Sequence, residues 1–220
     1  MRAPRRPFIL FWLTLVATLS VASPARAHLV NTGFGPFDDG LTHLFITPED
    51  LLPVIALALL AGLRGPRFGR AVLVALPVAW LAGSAFGLLL ASPIALPPAE
   101  IILTIAFGLL LAVDSNLPLV AVAGLAILLG LFHGLLNGSE LPKTPSTSPI
   151  SVAGVGVALF VAVSLLAGQA SAVHVPWARV AVRVAGSWIV AIGLLMSAGR
   201  CVFLVSSTRV SDPHVTRARK

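Results

Sequence analysis

From residue 49 to residue 205 the chain alternates apolar runs with short polar gaps, the longest of about a dozen residues. Six runs can be drawn, at approximately 49–63, 71–91, 99–113, 117–136, 150–170 and 182–205. No water-soluble domain fits between them. The third run is short against the roughly 20 residues that a membrane span needs. Inside hydrocarbon each backbone N–H and C=O must find its partner within the segment, so the runs must be helices. Composition agrees. Of the 220 residues, 57% are hydrophobic and 10% charged, where soluble domains carry about 25% charged residues. The mean hydropathy is +0.98. The expected fold is all-α, a polytopic membrane helical bundle of six transmembrane helices. A single cysteine, Cys201, excludes an intramolecular disulfide framework and a cysteine-rich zinc site.

The first 27 residues read as a cleavable signal peptide. Arg2, Arg5 and Arg6 make a basic start, Phe8 to Val21 an apolar core, and Ala25-Arg26-Ala27 a small-x-small cleavage site. Cleavage would leave His28 first and remove four arginines, taking the formal charge from +7 to +3. Residues 28–48 then form a short external segment, 49–205 the six-helix domain and 206–220 a basic tail. The basic residues lie at the termini and in short loops, which suits membrane topology and anionic headgroups better than nucleic acid. The signal start stays inside, so the mature N-terminus is outside. Arg64, Arg67 and Arg70 fall in an inner loop, with the Asp114–Asn116 turn, Arg179 and Arg183 on the same side. The tail would emerge outside with Arg209, Arg217, Arg219 and Lys220, against the positive-inside rule. Gly83 and Gly87, Gly130 and Gly134, and Gly134 and Gly138 are spaced for close helix approach.

Two polar knots interrupt this apolar chain. The first, Asp38 to Leu52, reads DDGLTHLFITPEDLL; the second, Phe132 to Pro142, reads FHGLLNGSELP. Ionisable groups beside hydrocarbon are costly and mark functional sites. In the six-span topology both knots lie on the outer face. Thr47-Pro48-Glu49-Asp50 also fits an ordinary helix start, with Thr47 as N-cap and Asp50 completing a capping box. That account leaves His43, Asp38 and Asp39 unexplained. His133 and Asn137 are four apart and share a helix face, which Glu140 extends if the helix continues. Imidazole with carboxylate is a usual ligand set for divalent first-row metals. The candidate metal-capturing residues are His43, Glu49, Asp50, His133 and Glu140, with Asn137 as an auxiliary oxygen donor. Ser84, in Gly-Ser-Ala-Phe-Gly with His133 as a base, gives a weaker hydrolase reading, with no third group or oxyanion hole visible.

The knots resemble the HupE/UreJ family. Its first signature, Gly-Phe-x-His-Pro-Leu-x-Gly-x-Asp-His-Leu-Leu, stands here as Gly40-Leu41-Thr42-His43 and, at the same spacing, Glu49-Asp50-Leu51-Leu52. Its second, Phe-His-Gly-His-Ala-His-Gly-x-Glu-Leu-Pro, stands as Phe132 to Pro142, with Leu135 and Asn137 replacing two histidines. Arg183-Val184-Ala185-Gly186 leads a last helix similar to the family's. The replacements leave a site poorer in nitrogen and richer in oxygen. The family is regarded as nickel permeases. The resemblance therefore implies a multi-pass protein of the bacterial inner membrane, with a periplasmic N-terminus, taking up nickel or a similar divalent cation. That ion would be cargo, with no permanently bound cofactor and no enzymatic activity. The expected partners are the lipid bilayer and the ion, with a homo-oligomer left open. A non-transporting membrane subunit is the alternative.

Overall fold

A computed structural model describes residues 32–90, 92–140, 149–173 and 175–210, the last ten as backbone. The signal-peptide expectation, His28, His174, His214 and the tail beyond residue 210 lie outside them. Seven helices are found among the described residues: α1 (Pro36–Ile46), α2 (Pro48–Arg64), α3 (Pro66–Leu88), α4 (Pro97–Ala112), α5 (Leu119–Glu140), α6 (Pro149–Ser171) and α7 (Pro176–Val210). No strand occurs among these residues.

Proline sets the starts. Every helix except α5 begins at a proline, where the fixed φ suits the first turn and the missing N–H costs nothing. Helix α5 follows Pro118, whose carbonyl accepts the Ala121 and Val122 N–H groups. The six drawn runs match α2 to α7. Helix α5 continues into the second knot as far as Glu140, and α7 begins at Pro176, ahead of Arg179 and Arg183.

Among the described residues four helices, α3, α5, α6 and α7 to Arg200, are long and apolar enough to cross a membrane. Helices α1 and α2 meet the same test only as a pair bent by 72°, and α4 is a shorter apolar helix.

Packing follows small residues, as expected where lipid removes the hydrophobic drive between helices. Helices α3 and α5 make the most extensive contact. Gly83 and Gly87 of α3 lie against the backbone of Leu131 and Leu135, while Gly130, Gly134 and Gly138 of α5 lie against that of Leu76, Trp80 and Ser84. The sequence spacing marked the residues of this contact. Helix α4 packs on α7 through Gly108 and Gly186, and α1 on α6 through Gly40 and Gly154. Helix α2 is central. Its Val54, Ala56, Leu57, Ala58, Leu60 and Ala61 are buried, and it touches every other helix. Outward apolar side chains such as Val74, Phe86, Ile102, Val120 and Leu195 are exposed, as a lipid-facing surface requires.

The two ends of the bundle differ in chemistry. At one end, Asp114 closes α4 in the left-handed region at φ 54°, which aspartate tolerates better than most residues. The Asp114 and Ser115 N–H groups return to the Leu111 and Leu110 carbonyls, both at 3.0 Å, a Schellman closure. Arginines from two other helices seize this turn. Arg64 donates through Nη2 to Asp114 Oδ1 at 2.7 Å and to the Asp114 carbonyl, and through Nε to Ser115 O at 3.1 Å. Arg179 Nε donates to Asp114 Oδ2 at 2.7 Å and Arg183 Nε to Ala112 O at 3.0 Å. The Arg179 bond and then the Arg64 charge hold the Asp114 carboxyl below its ordinary range, against partial burial. The other end carries His43 and His133.

Candidate functional site

Asp50 enters from the first turn of α2. A Thr-Pro-Glu-Asp start predicts a capping role, but Thr47 makes no side-chain cap bond, and its hydroxyl is buried without a partner among the described residues. The Asp50 carboxylate is turned instead towards α5. Its Oδ1 lies 2.7 Å from His133 Nδ1, and its Oδ2 accepts the Asn137 amide at 2.9 Å. His43 Nε2, from α1, stands 3.5 Å from the same Oδ2. Three helices thus converge on one buried carboxylate. Asp50 is 2% exposed, His133 0% and His43 7%, so each unmatched polar atom there carries a real cost.

A carboxylate only accepts, so each facing imidazole nitrogen carries its proton, and in the neutral ring the far nitrogen is the one left to accept or ligate. Those far atoms, His43 Nδ1 and His133 Nε2, are buried and lack a partner among the described residues. The Trp80 indole stacks on the His133 ring, with centroids 5.4 Å apart and planes 19° apart, and Phe132 meets the ring edge-on at 5.3 Å. His133 is therefore fixed both at one nitrogen and across its face.

A cavity of about 20 Å³ adjoins the cluster, enough for about one water-sized occupant. His43, Trp80, Ser84, Asn137, Glu140 and Ser151 contribute to its wall. Trp80 Nε1 and Ser151 Oγ, like His43 Nδ1, are buried without partners among the described residues. The structure thus joins His43, Asp50, His133 and Asn137 directly and sets Glu140 at the cavity. Glu49 is half-buried on the same turn as Asp50 and is not one of that carboxylate's partners. Asp38 is exposed, while Asp39 is spent locally, accepting the N–H and the hydroxyl of Thr32, each at 2.7 Å. Among the described residues no three histidine, cysteine, aspartate or glutamate side chains form a ready coordination set. The hydrolase geometry gains nothing: His133 gives Nδ1 to Asp50, and Ser84 sits at the α3–α5 contact.

Sequence reasoning passed over Trp80, Ser151 and Glu100. Glu100, in the first turn of α4, interacts electrostatically with His133, Asp50 and Glu49. An acid opening an otherwise uncharged apolar run was the available signal for Glu100. Nothing local distinguishes Trp80 or Ser151 from packing residues.

Comparison with known proteins adds two findings. The family model described as HupE / UreJ protein matches residues 16–196. Protein HupE of Rhizobium leguminosarum bv. viciae is 33% identical over 196 residues, covering 84% of this chain and 96% of that protein. No solved structure matches.

Proposed function

The chain belongs to the HupE/UreJ family, and from that premise we propose that it is a six-span inner-membrane permease that captures a divalent transition-metal cation at its outer face for uptake. The observation that carries the reading is the sharing of Asp50 by His43 and His133, which leaves each imidazole one buried nitrogen without a partner among the described residues. A histidine held by a carboxylate at one nitrogen and offering the other is the usual arrangement behind a metal ligand.

The roles then divide. His43 Nδ1 and His133 Nε2 supply nitrogen. Glu140, at the cavity wall, supplies charge, and Asn137, whose amide nitrogen is spent on Asp50, supplies its oxygen. Asp50 orients both rings and balances the charge of the ion. Glu49, half-buried beside it, adds negative field at the entrance. Imidazole with oxygen donors suits nickel and its first-row neighbours. A site with no ready coordination set suits cargo, which must leave as well as enter. Passage follows the gap between α2 and α5. Nickel and the inward direction come from the family resemblance.

The test is metal accumulation in cells carrying the wild type or His133→Ala, with membrane expression confirmed. The permease reading predicts accumulation in the wild type and its loss in the variant. Equal accumulation would favour a non-transporting accessory subunit.

A further inference from the structure

A second cavity lies at the opposite end of the bundle, between the start of α3 and the end of α6. It holds about 180 Å³. Its floor is small and apolar, with Gly69 and Leu73 on one side and Val163, Ala167 and Gly168 on the other. Both helices are candidate spans, so the cleft opens on the flank that lipid covers. It is open in fact: a Cβ added at Gly168 would meet nothing within 4 Å.

Arg70 stands in the wall and is exposed. The ion pairs of this end give Asp114 to Arg64 and Arg179 and leave Arg70 without a carboxylate among the described residues. The cleft's hydroxyls are already committed. Ser164 donates to the Phe160 carbonyl at 2.7 Å and Ser171 to the Gly168 carbonyl at 2.8 Å. The guanidinium is therefore the free donor for an anion, and the start of α3 at Pro66 adds the positive end of a helix dipole.

We propose that this cleft binds an anionic phospholipid, with the phosphate on Arg70 and an acyl chain lying over Gly168 and Ala167. A basic group between membrane helices is a headgroup site by its charge, and the apolar floor selects a lipid over a free aqueous anion. The site is independent of metal capture.

The experiment uses the full-length protein in nanodiscs. Lipid retention is measured by native mass spectrometry, and thermal unfolding is followed in phosphatidylcholine with and without phosphatidylglycerol. The wild type should retain phosphatidylglycerol and gain thermal stability from it. Arg70→Gln should lose about fivefold in that affinity, the worth of one arginine near a charged surface. Gly168→Leu should block the floor and abolish retention, while its unfolding in pure phosphatidylcholine matches the wild type. Arg67→Gln, outside the cleft wall, should keep the effect. Equal phosphatidylglycerol retention in the wild type, Arg70→Gln and Gly168→Leu would overturn the proposal, as would a wild type indifferent to phosphatidylglycerol.

Discussion

Asp50 and His133 stand 83 residues apart in the chain and 2.7 Å apart in space, Oδ1 to Nδ1. The bond ties the first turn of α2 to the last turns of α5. Through Oδ2 the same carboxylate also faces Asn137 and His43. It is the point at which two distant polar segments become one site.

Asp50→Asn should therefore weaken metal capture more than it weakens the fold. The amide still fills the space but no longer fixes both imidazole protons. Losing a carboxylate behind metal-ligating histidines costs about 10- to 100-fold in affinity, and nickel titration of the purified variant should show a loss in that range. Asp50→Ala should also lower thermal stability, because His133 Nδ1 and the Asn137 amide lose their buried acceptor, at about 1–3 kcal/mol each.

Trp80 offers a native reporter. Its ring stacks on His133 and lines the cavity, whereas Trp177 and Trp188 are 73% and 67% exposed on α7. Nickel bound at His133 should quench Trp80 emission. Trp80→Phe should abolish the saturable quenching and leave a weak, linear response, measured by fluorescence titration.

The glycine contact sets a sharp contrast within one helix. A Cβ at Gly134 would collide with the Trp80 carbonyl oxygen, while one at Gly124 meets nothing within 4 Å. Gly134→Leu should cost at least the 1–3 kcal/mol typical of overpacking and deplete folded protein in membranes. Gly124→Ala should be neutral or stabilising by up to about 1 kcal/mol, the helix-propensity gain. Thermal unfolding in one detergent distinguishes them.

Asp114 predicts a pH effect. The Arg179 hydrogen bond, with Arg64 nearby, lowers its folded pKa. The stability it contributes is complete above the unfolded carboxylate value of about 4 and is lost as pH falls through the lowered folded value. Asp114→Asn, which tolerates the φ of 54°, should reduce stability at neutral pH by about 1 kcal/mol. It should also flatten the acid loss of stability below about pH 4. Unfolding midpoints between neutral pH and about pH 3 check both signs.

Six of the seven described helices, their approximate boundaries and the close-contact glycines could be read from the sequence, because apolar length and small-residue spacing are local properties. The common end of the two knots could be read as well, since four apolar runs, α2 to α5, separate them and an even number of antiparallel helices returns the chain to the end it left. Helix α1 could not. Its 11 residues contain Gly40, Thr42 and two aspartates, and a helix that short is marginal alone. Its seat on α6, where Gly40 meets Ser151 and Gly154 meets Phe37, is a tertiary contact. The role of Asp50 was hidden for the same reason. Thr47 to Asp50 is a locally sufficient helix start, and only the approach of α5 turns the carboxylate from the backbone to His133.

The most direct test is a double-mutant cycle in nickel affinity, measured by calorimetry on the purified wild type, His43→Ala, His133→Ala and the double variant. One ion gripped from both knots requires non-additivity: either single change should lose most of the affinity, and the double variant should lose little more. Losses that simply add, or nickel affinity unchanged in both single variants, would contradict a shared site.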